Sequence, residues 1–277
     1  MDYYNQSVLL ASKHEKEKAI AEVFCNKLSC TLDVHEFDTD QFGTFTGEIA
    51  RILSPYDTCI LKARRAAEHY GYDLAIASEG SFGTHPAFTF IPSDHEIMVF
   101  LDRKNNWVIV EQYTTPKTNY RMMTITPQTQ LDDFLEKAGF PEHALTLQAN
   151  SDKRVIAKGI RDTESFQTAL ELGFQHEKEL FLATDMRAMM NPLRMQAISV
   201  LAEKLVTRIL CCCPNCSTPG FGFKKTSGSL PCNECTSPTS LYQHEVWGCI
   251  QCDCEETHPR KDGLEAAEPQ YCDYCNP

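Results

Sequence analysis

The sequence has little that would direct the chain to a membrane, out of the cell or onto nucleic acid. Its 277 residues contain no apolar run of about 18 residues, the length that a membrane-spanning helix requires. The first six residues, MDYYNQ, lack the basic region and the apolar stretch of a signal peptide. The formal net charge is -12, so the chain has no general attraction for nucleic acid or anionic lipid. We expect a cytoplasmic protein without a membrane partner, and a nucleic-acid partner is disfavoured.

Two common nucleotide-binding motifs are absent as well. The sequence has no G-x-x-x-x-G-K-[ST] loop and no G-x-G-x-x-G following a predicted strand. Cysteine is also scarce over the first 210 residues, where only Cys25, Cys30 and Cys59 occur. The other 11 of the 14 cysteines fall in the last 67 residues. This composition predicts a larger domain able to bury its own core and a small cysteine-rich domain that needs another source of stability.

The cysteine-rich segment contains four C-x-x-C pairs at spacings typical of metal sites. Disulfide scaffolds of this density are typical of secreted chains, so metal binding is the better interpretation for a cytoplasmic protein. Gaps of 15 residues between the first two pairs and 19 between the last two match a zinc ribbon. We predict two structural zinc ions. The predicted ligands are Cys213 and Cys216, Cys232 and Cys235, Cys249 and Cys252, and Cys272 and Cys275.

Two pairings of these cysteine pairs are open. Sequential pairing, which the ribbon-like gaps favour, gives tandem zinc ribbons. If the first C-x-x-C pair instead shares a metal ion with the third, and the second with the fourth, the result is an interleaved cross-brace. A closed set of four thiolates leaves no position for water, so either pairing predicts a structural role. Four lysines and arginines stand against nine carboxylates over 211–277, which opposes binding to a phosphate backbone. We expect this segment to form a homo-oligomer or to dock a protein partner.

Residues 1–210 alternate between strand-like and helix-like patterns. Apolar runs predict strands at 8–12, 31–37, 74–78, 144–149, 154–160 and 179–183, and a hairpin of 96–101 with 107–110. Helical spacing and capping residues predict helices at 14–28, 54–70, 126–139, 163–173 and 192–210. This order predicts an α/β, mixed-sheet layer domain over 1–210, followed by the small cysteine-rich, double zinc-ribbon domain over 211–277.

Polar segments follow the first three predicted strands, at 12–16, 38–48 and 78–86. In open α/β sheets, ligands bind at the carboxyl ends of the strands. The carboxylates of these segments predict a Mg2+ or Mn2+ site, and their lysines predict contacts with a phosphate. The candidate catalytic residues are Glu48, Glu79 and Lys62, and the candidate ligand-binding residues are Lys13, His14, Lys16, Asp38, Asp40, Ser81 and His85.

A further polar segment, 184–194, joins a predicted strand to the last long helix. Asn191 is suited to the N-cap of that helix and Pro192 to its first turn. Arg194 then lies where the helix dipole disfavours a cation, which points to a bound ligand or to an acidic partner such as Asp185. Arg187 and Arg194 complete the set of candidate ligand-binding residues.

Four stretches of the chain resemble a bacterial family of uncharacterised proteins that is known only as a domain of unknown function. They are FDTDQFGTFTGE at 37–48, ASEGSFGTHP at 77–86, TDMRAMMNPLRM at 184–195 and YCDYCNP at 271–277. The resemblance covers nearly the whole chain and implies no particular activity.

The order of the motifs is also similar to that of the inosine-triphosphate pyrophosphatase family of nucleotide hydrolases. Residues 12–14 stand in place of that family's opening T-x-N-x-x-K-like loop, and 44–48 with 62–66 resemble its T-F-x-E-N-A…K-A segment. Residues 78–81 are similar to its D-D-S-G turn, and 191–197 to its S-H-R-x-x-A-like helix. This resemblance implies hydrolysis of a nucleotide with a divalent cation.

Two hypotheses for the function follow. The first is a divalent-metal-dependent hydrolase of a nucleotide or a related phosphorylated small molecule, with a structural zinc-ribbon tail. The alternative is a non-enzymatic ligand-sensing or scaffold protein whose zinc ribbons mediate protein–protein contacts. Ser78 in place of one of the paired aspartates favours the alternative, because it removes a metal ligand that the hydrolase family uses.

Overall fold

The chain consists of two compact units in a computed structural model that describes residues 3–35, 37–44, 46–85 and 89–277. The larger unit ends at Val206 and the smaller one is Thr207–Pro277. Phe45 and Pro86, which belong to two of the predicted polar segments, lie outside the described residues. No helix in the described ranges is long and apolar enough to cross a membrane.

The first sheet of the larger unit has five strands in the order β2-β1-β3-β4-β5. Strands β1, β2 and β3 are parallel, whereas β4 and β5 are antiparallel to their neighbours, so the predicted mixed sheet is confirmed. The elements are β1 (Ser7–Ala11), α1 (Glu17–Leu28), β2 (Thr31–His35), a 3-10 turn (Asp40–Phe42), α2 (Pro55–Tyr70), β3 (Leu74–Thr84), β4 (Pro92–Asp102) and β5 (Trp107–Thr115).

Helix α2 begins and ends where the sequence predicts. Ser54 Oγ accepts a hydrogen bond of 3.1 Å from the backbone N–H of Asp57, and Gly71 ends the helix with a φ of 73°. The buried face of the helix carries the small residues Ala63 and Ala66, which pack against the strands of the sheet. Because alanine side chains are short, the helix lies close to β3, and Lys62 reaches Glu79 of that strand.

The second sheet of the larger unit is antiparallel, in the order β6-β9-β7-β8. Its core contains Leu145, Leu147, Leu180 and Leu182 of the strands, packed against Phe166 of a helix. The elements are β6 (Met122–Ile125), α3 (Asp132–Ala138), β7 (Leu145–Ala149), β8 (Val155–Ile160), α4 (Thr163–Phe174), β9 (Leu180–Thr184) and the long helix α5 (Pro192–Leu210).

The smaller unit is a three-stranded antiparallel meander of β10 (Gly222–Pro231), β11 (Pro238–Gly248) and β12 (Glu255–Pro259). Gly222 pairs with Gly248 at one end of the β10–β11 hairpin, and Pro231 pairs with Pro238 at the other. The C-x-x-C pairs lie in the turns and loops that flank these strands. The register of the hairpin therefore decides which cysteine pairs meet.

Two predicted elements differ most from the structure in their extent. Strand β3 does not end at residue 78 but continues to Thr84, because β4 pairs with it over its whole length. Glu79 and Ser81 therefore lie on a strand and not on a loop. The helix predicted at 126–139 begins only at Asp132, since the segment before it is a turn in which Thr129 Oγ1 accepts a hydrogen bond from the N–H of Thr126.

Candidate functional site

The eight predicted zinc ligands converge in two clusters at opposite ends of the β10–β11 hairpin. The first cluster is Cys213, Cys216, Cys249 and Cys252, and the second is Cys232, Cys235, Cys272 and Cys275. Within each cluster the four sulfur atoms all lie within 4.8 Å of one another. The smaller unit thus contains two four-cysteine sites.

The sulfur separations fit zinc and exclude disulfides. The Sγ–Sγ distances are 3.7 Å for Cys213–Cys252, 3.6 Å for Cys216–Cys249, 3.9 Å for Cys232–Cys275 and 3.6 Å for Cys235–Cys272. Four thiolates about 2.3 Å from a tetrahedral zinc ion lie about 3.8 Å from one another. A disulfide requires about 2.05 Å. The closed four-sulfur geometry is that of a structural metal site, and the tail is a structural zinc-binding unit.

The favoured sequential pairing of the cysteines was wrong, and the interleaved pairing is the one that forms. The 15-residue gap between the first two pairs contains the ten-residue strand β10, which spans roughly 30 Å when extended. The first and second pairs are therefore held at opposite ends of a rigid strand. Strand β11 returns antiparallel, which brings the third pair to the first, and β12 with the segment after it brings the fourth to the second.

Local hydrogen bonds favour the thiolate form of one ligand in each cluster. Hydrogen bonding from Thr218, whose hydroxyl lies 3.2 Å away, lowers the pKa of the Cys216 thiol to about 6. Hydrogen bonding from Ser237 has the same effect on Cys235. Thiolates are the form that binds metal, so these hydrogen bonds favour zinc binding by Cys216 and Cys235.

The larger unit has a separate cavity of about 140 Å³ at the carboxyl ends of its parallel strands. Ser12 follows β1, Asp40 follows β2, and Ser78 and Glu79 belong to β3. Strand β1 lies between β2 and β3, so the connection after β1 leads to one side of it and the connection after β2 crosses to the other side. Such a switch in strand order opens a crevice, and ligands of open α/β sheets bind there.

The lining of this cavity, hereafter the cationic cavity, is strongly positive. Seven lysine and arginine side chains line it against three carboxylates, although the chain as a whole has a net charge of -12. The cations are Lys13, Lys16, Arg51, Lys62, Lys158, Arg187 and Arg194, and the carboxylates are Asp40, Glu48 and Glu79. Nine of the twelve candidate residues of the sequence line the cavity, together with Arg51 and Lys158, which were not predicted.

Two of the predicted catalytic residues form a buried ion pair. Lys62 of α2 donates a hydrogen bond to Glu79 Oε1, and both side chains are almost fully buried. Arg51 Nη1 lies 3.6 Å from Glu79 Oε2, so both oxygens of this carboxylate face a cation. Glu79 therefore neutralises two of the cavity's cations instead of offering free oxygens to a metal.

Glu48, the third predicted catalytic residue, is also engaged. Its Oε2 accepts hydrogen bonds of 2.7 Å from Thr46 and 3.2 Å from Lys158 of β8, and these bonds lower the pKa of the carboxyl. Among the described residues, the two cysteine clusters are the only groups of three or more potential metal ligands that converge. Glu48 and Glu79 do not fit the predicted Mg2+ or Mn2+ site, because lysines and arginines occupy the positions that a cation would take.

Lys16 differs from the other cations of the cavity. Its Nζ donates hydrogen bonds to the Ser78 carbonyl oxygen at 3.2 Å and to Ser78 Oγ at 2.9 Å, and no carboxylate of the described chain forms an ion pair with it. Burial, followed by the charge of Arg194, lowers the pKa of the Lys16 ammonium to about 8. The adjacent His14 is half-buried, and burial and the charge of Lys16 lower its pKa to about 4. His14 is therefore neutral at physiological pH.

Arg194 is fully buried, which the sequence did not predict. Its Nε donates a hydrogen bond of 2.5 Å to Glu96 Oε1 on β4, and its Nη1 donates to the carbonyl oxygen of Met186. Asp185, the acidic partner considered from the sequence, pairs instead with Arg187 at 2.6 Å. Glu96, which precedes the apolar run of β4, was missed, because nothing in the sequence near it points to Arg194, 98 positions away.

Gly80 makes room for this ion pair. A Cβ atom at position 80 would lie 2.4 Å from Arg194 Nη2 and 2.5 Å from Glu96 Oε1. The strand must therefore lack a side chain at this point. Asp94, two residues before Glu96 on the same strand, is also buried, and burial with the charge of Glu96 raises its pKa.

Three predicted ligand-binding residues do not line the cationic cavity. Asp38 is exposed and accepts a hydrogen bond of 3.3 Å from Lys13, so it acts on the cavity only through that lysine. Ser81 lines a neighbouring cavity and accepts a hydrogen bond from Arg51 at 3.3 Å. His85 follows the end of β3, where its backbone N–H donates to the carbonyl oxygen of Ile91 at 2.7 Å.

The neighbouring cavity measures about 510 Å³ and lies between the first and second sheets of the larger unit. It shares Thr44, Thr46 and Arg51 with the cationic cavity, but its lining is more apolar. Aromatic rings, methionines and an amide contribute to it: Phe82, Tyr120, Phe181, Met122, Met186 and Gln148. We call it the aromatic cavity.

Comparison with known proteins identifies a family but no activity. The family described as Domain of unknown function (DUF6671) matches residues 62–277, from the middle of α2 to the last residue. No curated protein matches the chain. The resemblance to inosine-triphosphate pyrophosphatases thus has no support from these comparisons. The match to the uncharacterised family covers most of the chain, and we conclude that the chain belongs to the DUF6671 family.

Proposed function

We propose that the larger unit binds a phosphorylated small molecule, whose phosphate occupies the cationic cavity. The observation that carries this proposal is the excess of seven lysines and arginines over three carboxylates in one cavity of an acidic chain. Carboxylates outside the lining, Glu96 and Asp185, pair with Arg194 and Arg187. Lys16 forms no ion pair with a carboxylate of the described chain, so its charge is available to an anionic ligand. Phosphate suits this lining, because guanidinium and ammonium groups are its common protein partners.

The position and the size of the cavity support the same ligand. It lies where the strand order switches, which is the usual ligand site of an open α/β sheet. Its volume of about 140 Å³ is below the roughly 300–1,000 Å³ of sites that enclose a whole small molecule. It would therefore hold the charged end of a ligand, with the rest of the molecule outside it.

A second candidate function is hydrolysis of the bound phosphate ester or anhydride. The observation that favours it is the position of His14, which lines the cationic cavity beside Asp40. A neutral imidazole can accept a proton from an attacking water, and Asp40 Oδ1, 4.0 Å from His14 Nε2, would stabilise the resulting imidazolium. Lys13, Lys16 and Lys62 would stabilise the negative charge that develops on the phosphate. This mechanism uses only side chains of the chain itself.

The alternative function is ligand sensing without turnover. In that case the larger unit binds the phosphorylated molecule unchanged, and the acidic zinc-binding unit contacts a protein partner or a second copy of the chain in the cytoplasm. The closed geometry of the zinc sites is consistent with such a structural surface.

Calorimetric titration with inorganic pyrophosphate tests the binding proposal. We expect saturable binding that weakens at high salt, because the attraction is electrostatic. Lys16→Gln should weaken binding at least about tenfold, since hydrogen bonds to charged groups contribute about 1.5–3 kcal/mol. Lys18→Gln, on the same helix but paired with Glu15 outside the cavity, is the matched control and should leave the affinity unchanged. Equal affinities of the two variants would contradict the proposal.

Turnover of a panel of nucleoside triphosphates and sugar phosphates separates the hydrolase from the sensor. Each substrate is assayed with Mg2+, with Mn2+ and without added divalent cation. Release of phosphate or pyrophosphate that His14→Gln abolishes would support the hydrolase, and its dependence on metal would show whether Glu48 and Glu79 exchange their partners for an ion. Binding of pyrophosphate without turnover of any substrate would support the sensor.

A further inference from the structure

The aromatic cavity is joined to the cationic cavity by shared residues. Thr44, Thr46 and Arg51 line both, and they belong to the segment between β2 and α2. Neighbouring positions on β3 also divide between the two, with Glu79 in the cationic cavity and Gly80 in the aromatic one. A ligand whose phosphate lies in the first cavity would therefore place its organic part in the second.

The size and the lining of the aromatic cavity indicate what that organic part is. The volume of about 510 Å³ lies within the range of about 300–1,000 Å³ that is typical of small-molecule sites. Phe82 and Tyr120 present a preformed surface, with ring centroids 5.8 Å apart and planes tilted by 32°. The buried guanidinium of Arg194 lies 5.2 Å from the Phe82 centroid and fixes this ring in place. Rigid aromatic faces of this kind favour a flat ring over a flexible chain.

Gln148 gives the aromatic cavity a hydrogen-bond acceptor. Its Nε2 donates hydrogen bonds to the carbonyl oxygens of Thr46 at 2.8 Å and Lys153 at 2.9 Å. Both partners are acceptors, so the orientation of the amide is fixed and its two N–H groups are used. What remains is the Oε1 acceptor, to which no group among the described residues donates a hydrogen bond. This acceptor suits an N–H group on the ligand.

We infer that the aromatic cavity binds a planar nitrogen heterocycle bearing an N–H group, and that this heterocycle belongs to the same ligand whose phosphate enters the cationic cavity. The inference rests on the proposed phosphate binding and specifies the class of the ligand. The ring stacks on Phe82 and Tyr120, and its N–H donates to Gln148 Oε1. The phosphate contacts the lysines and arginines beyond the shared residues.

Calorimetric titration with four probes tests this assignment on the full chain. Adenosine 5′-monophosphate has the heterocyclic ring, an N–H group on its amino substituent and the phosphate. Purine riboside 5′-monophosphate lacks that N–H group, and ribose 5-phosphate lacks the ring. Adenosine lacks the phosphate. We expect the adenine nucleotide to bind about tenfold or more tightly than ribose 5-phosphate, which is the size of a single stacking contact. The purine nucleotide should bind about fivefold more weakly than the adenine nucleotide, through loss of one hydrogen bond.

Two variants connect the result to the aromatic cavity. Tyr120→Leu keeps an apolar side chain but removes the aromatic face, so it should abolish the advantage of the nucleotide over ribose 5-phosphate while leaving ribose 5-phosphate affinity unchanged. Tyr113→Leu, on β5 and outside both cavities, is the matched control and should preserve the advantage. Near-ultraviolet circular dichroism of each variant verifies that it is folded.

The possible outcomes separate this inference from the proposed function. If ribose 5-phosphate and the adenine nucleotide bind equally well, the assignment of the aromatic cavity is overturned while the phosphate proposal stands. If adenosine binds and none of the three phosphate compounds binds more tightly, the phosphate proposal fails and the aromatic site remains. If no probe binds, both are overturned.

Discussion

The candidate ligand sites of the two units differ in how far apart their residues lie in the sequence. In the smaller unit, eight cysteines supply both sites, and each site is built from two short turns whose spacing is visible in the sequence. In the larger unit, the cationic cavity collects side chains from Lys13 to Arg194, on strands, helices and loops of two sheets. Local sequence motifs therefore identify zinc ligands well and identify a charged cavity poorly.

The cysteine-rich segment and the cationic cavity also differ in their balance of charged side chains. The cysteine-rich segment is acidic, with nine carboxylates against four lysines and arginines, and two zinc ions would offset only half of the charge of its eight thiolates. The cationic cavity has the reverse balance, and most of its cations are held by individual carboxylates such as Glu79 and Glu48. A net charge summed over the chain hides both environments, so it is a poor guide to what either unit binds.

The sharpest difference between the units is the dependence of the smaller one on metal, and pairs of serine substitutions test it. Cys216→Ser with Cys249→Ser removes two ligands of one cluster, so one zinc ion per chain should remain. Cys216→Ser with Cys235→Ser damages both clusters, and no zinc should remain. Each lost ion removes binding free energy on the order of 10 kcal/mol, and we expect the affected end of the hairpin to unfold. Mass spectrometry of the native protein counts the ions.

Sequential pairing would exchange these two results. In that arrangement the first double variant would lose both ions and the second would keep one. Cys25→Ser, which alters a cysteine of α1 in the larger unit, serves as the control and should retain both zinc ions.

The larger unit is expected to depend on close packing around its buried charges, and two glycines of β3 test this. Gly80→Ala places a Cβ against the buried Arg194–Glu96 pair and should lower the free energy of unfolding by about 1–3 kcal/mol, as overpacked cores do. Gly83→Ala, where a Cβ meets nothing within 4 Å, should change it by less than about 0.5 kcal/mol. Chemical denaturation measures both, and equal effects would show that the ion pair tolerates displacement.

The smallest expected effect concerns the protonation of Lys16. Since its pKa is lowered to about 8, the ammonium loses its proton as the pH rises from 7 to 9, and anion affinity should fall severalfold over that range. Hydrogen bonding to Asp40 and Asp38 raises the pKa of Lys13, which therefore keeps its charge. Sulfate is the suitable probe, because it remains a dianion throughout. Titration at each pH should show a flatter profile for Lys16→Gln than for Lys18→Gln.

The elements of the fold were largely predictable because their signals are local. The N-cap Ser54 and the final Gly71 of α2 marked that helix correctly, and the long helix at 192–210 was correct at both ends. Strand β3 was not, since its second half, from Glu79 to Thr84, is polar and glycine-rich. That segment is a strand because it pairs with β4, and its own residues give no sign of this pairing.

The residues of the candidate site were predictable in part, whereas their contacts with one another were not. The sequence indicated Glu79 and Arg194 near strand ends and Lys62 on a helix, and the structure brings all three to one cavity. It gave no sign that Lys62 would form an ion pair with Glu79, or that Glu96 would form one with the buried Arg194. Lys158 was also missed, because a lysine on a predicted strand is typical of a solvent-facing position.

By itself, the amino-acid sequence determined which cysteines bind metal, that strands and helices alternate in the larger unit, and which polar segments lie near its strand ends. Spacing, periodicity and capping are properties of neighbouring residues, so no distant partner is needed to recognise them. The tertiary structure alone decided that the zinc sites interleave and that the cations of the cavity face particular carboxylates. Both depend on strand register, which places residues tens of positions apart within a few ångströms and which no local pattern encodes.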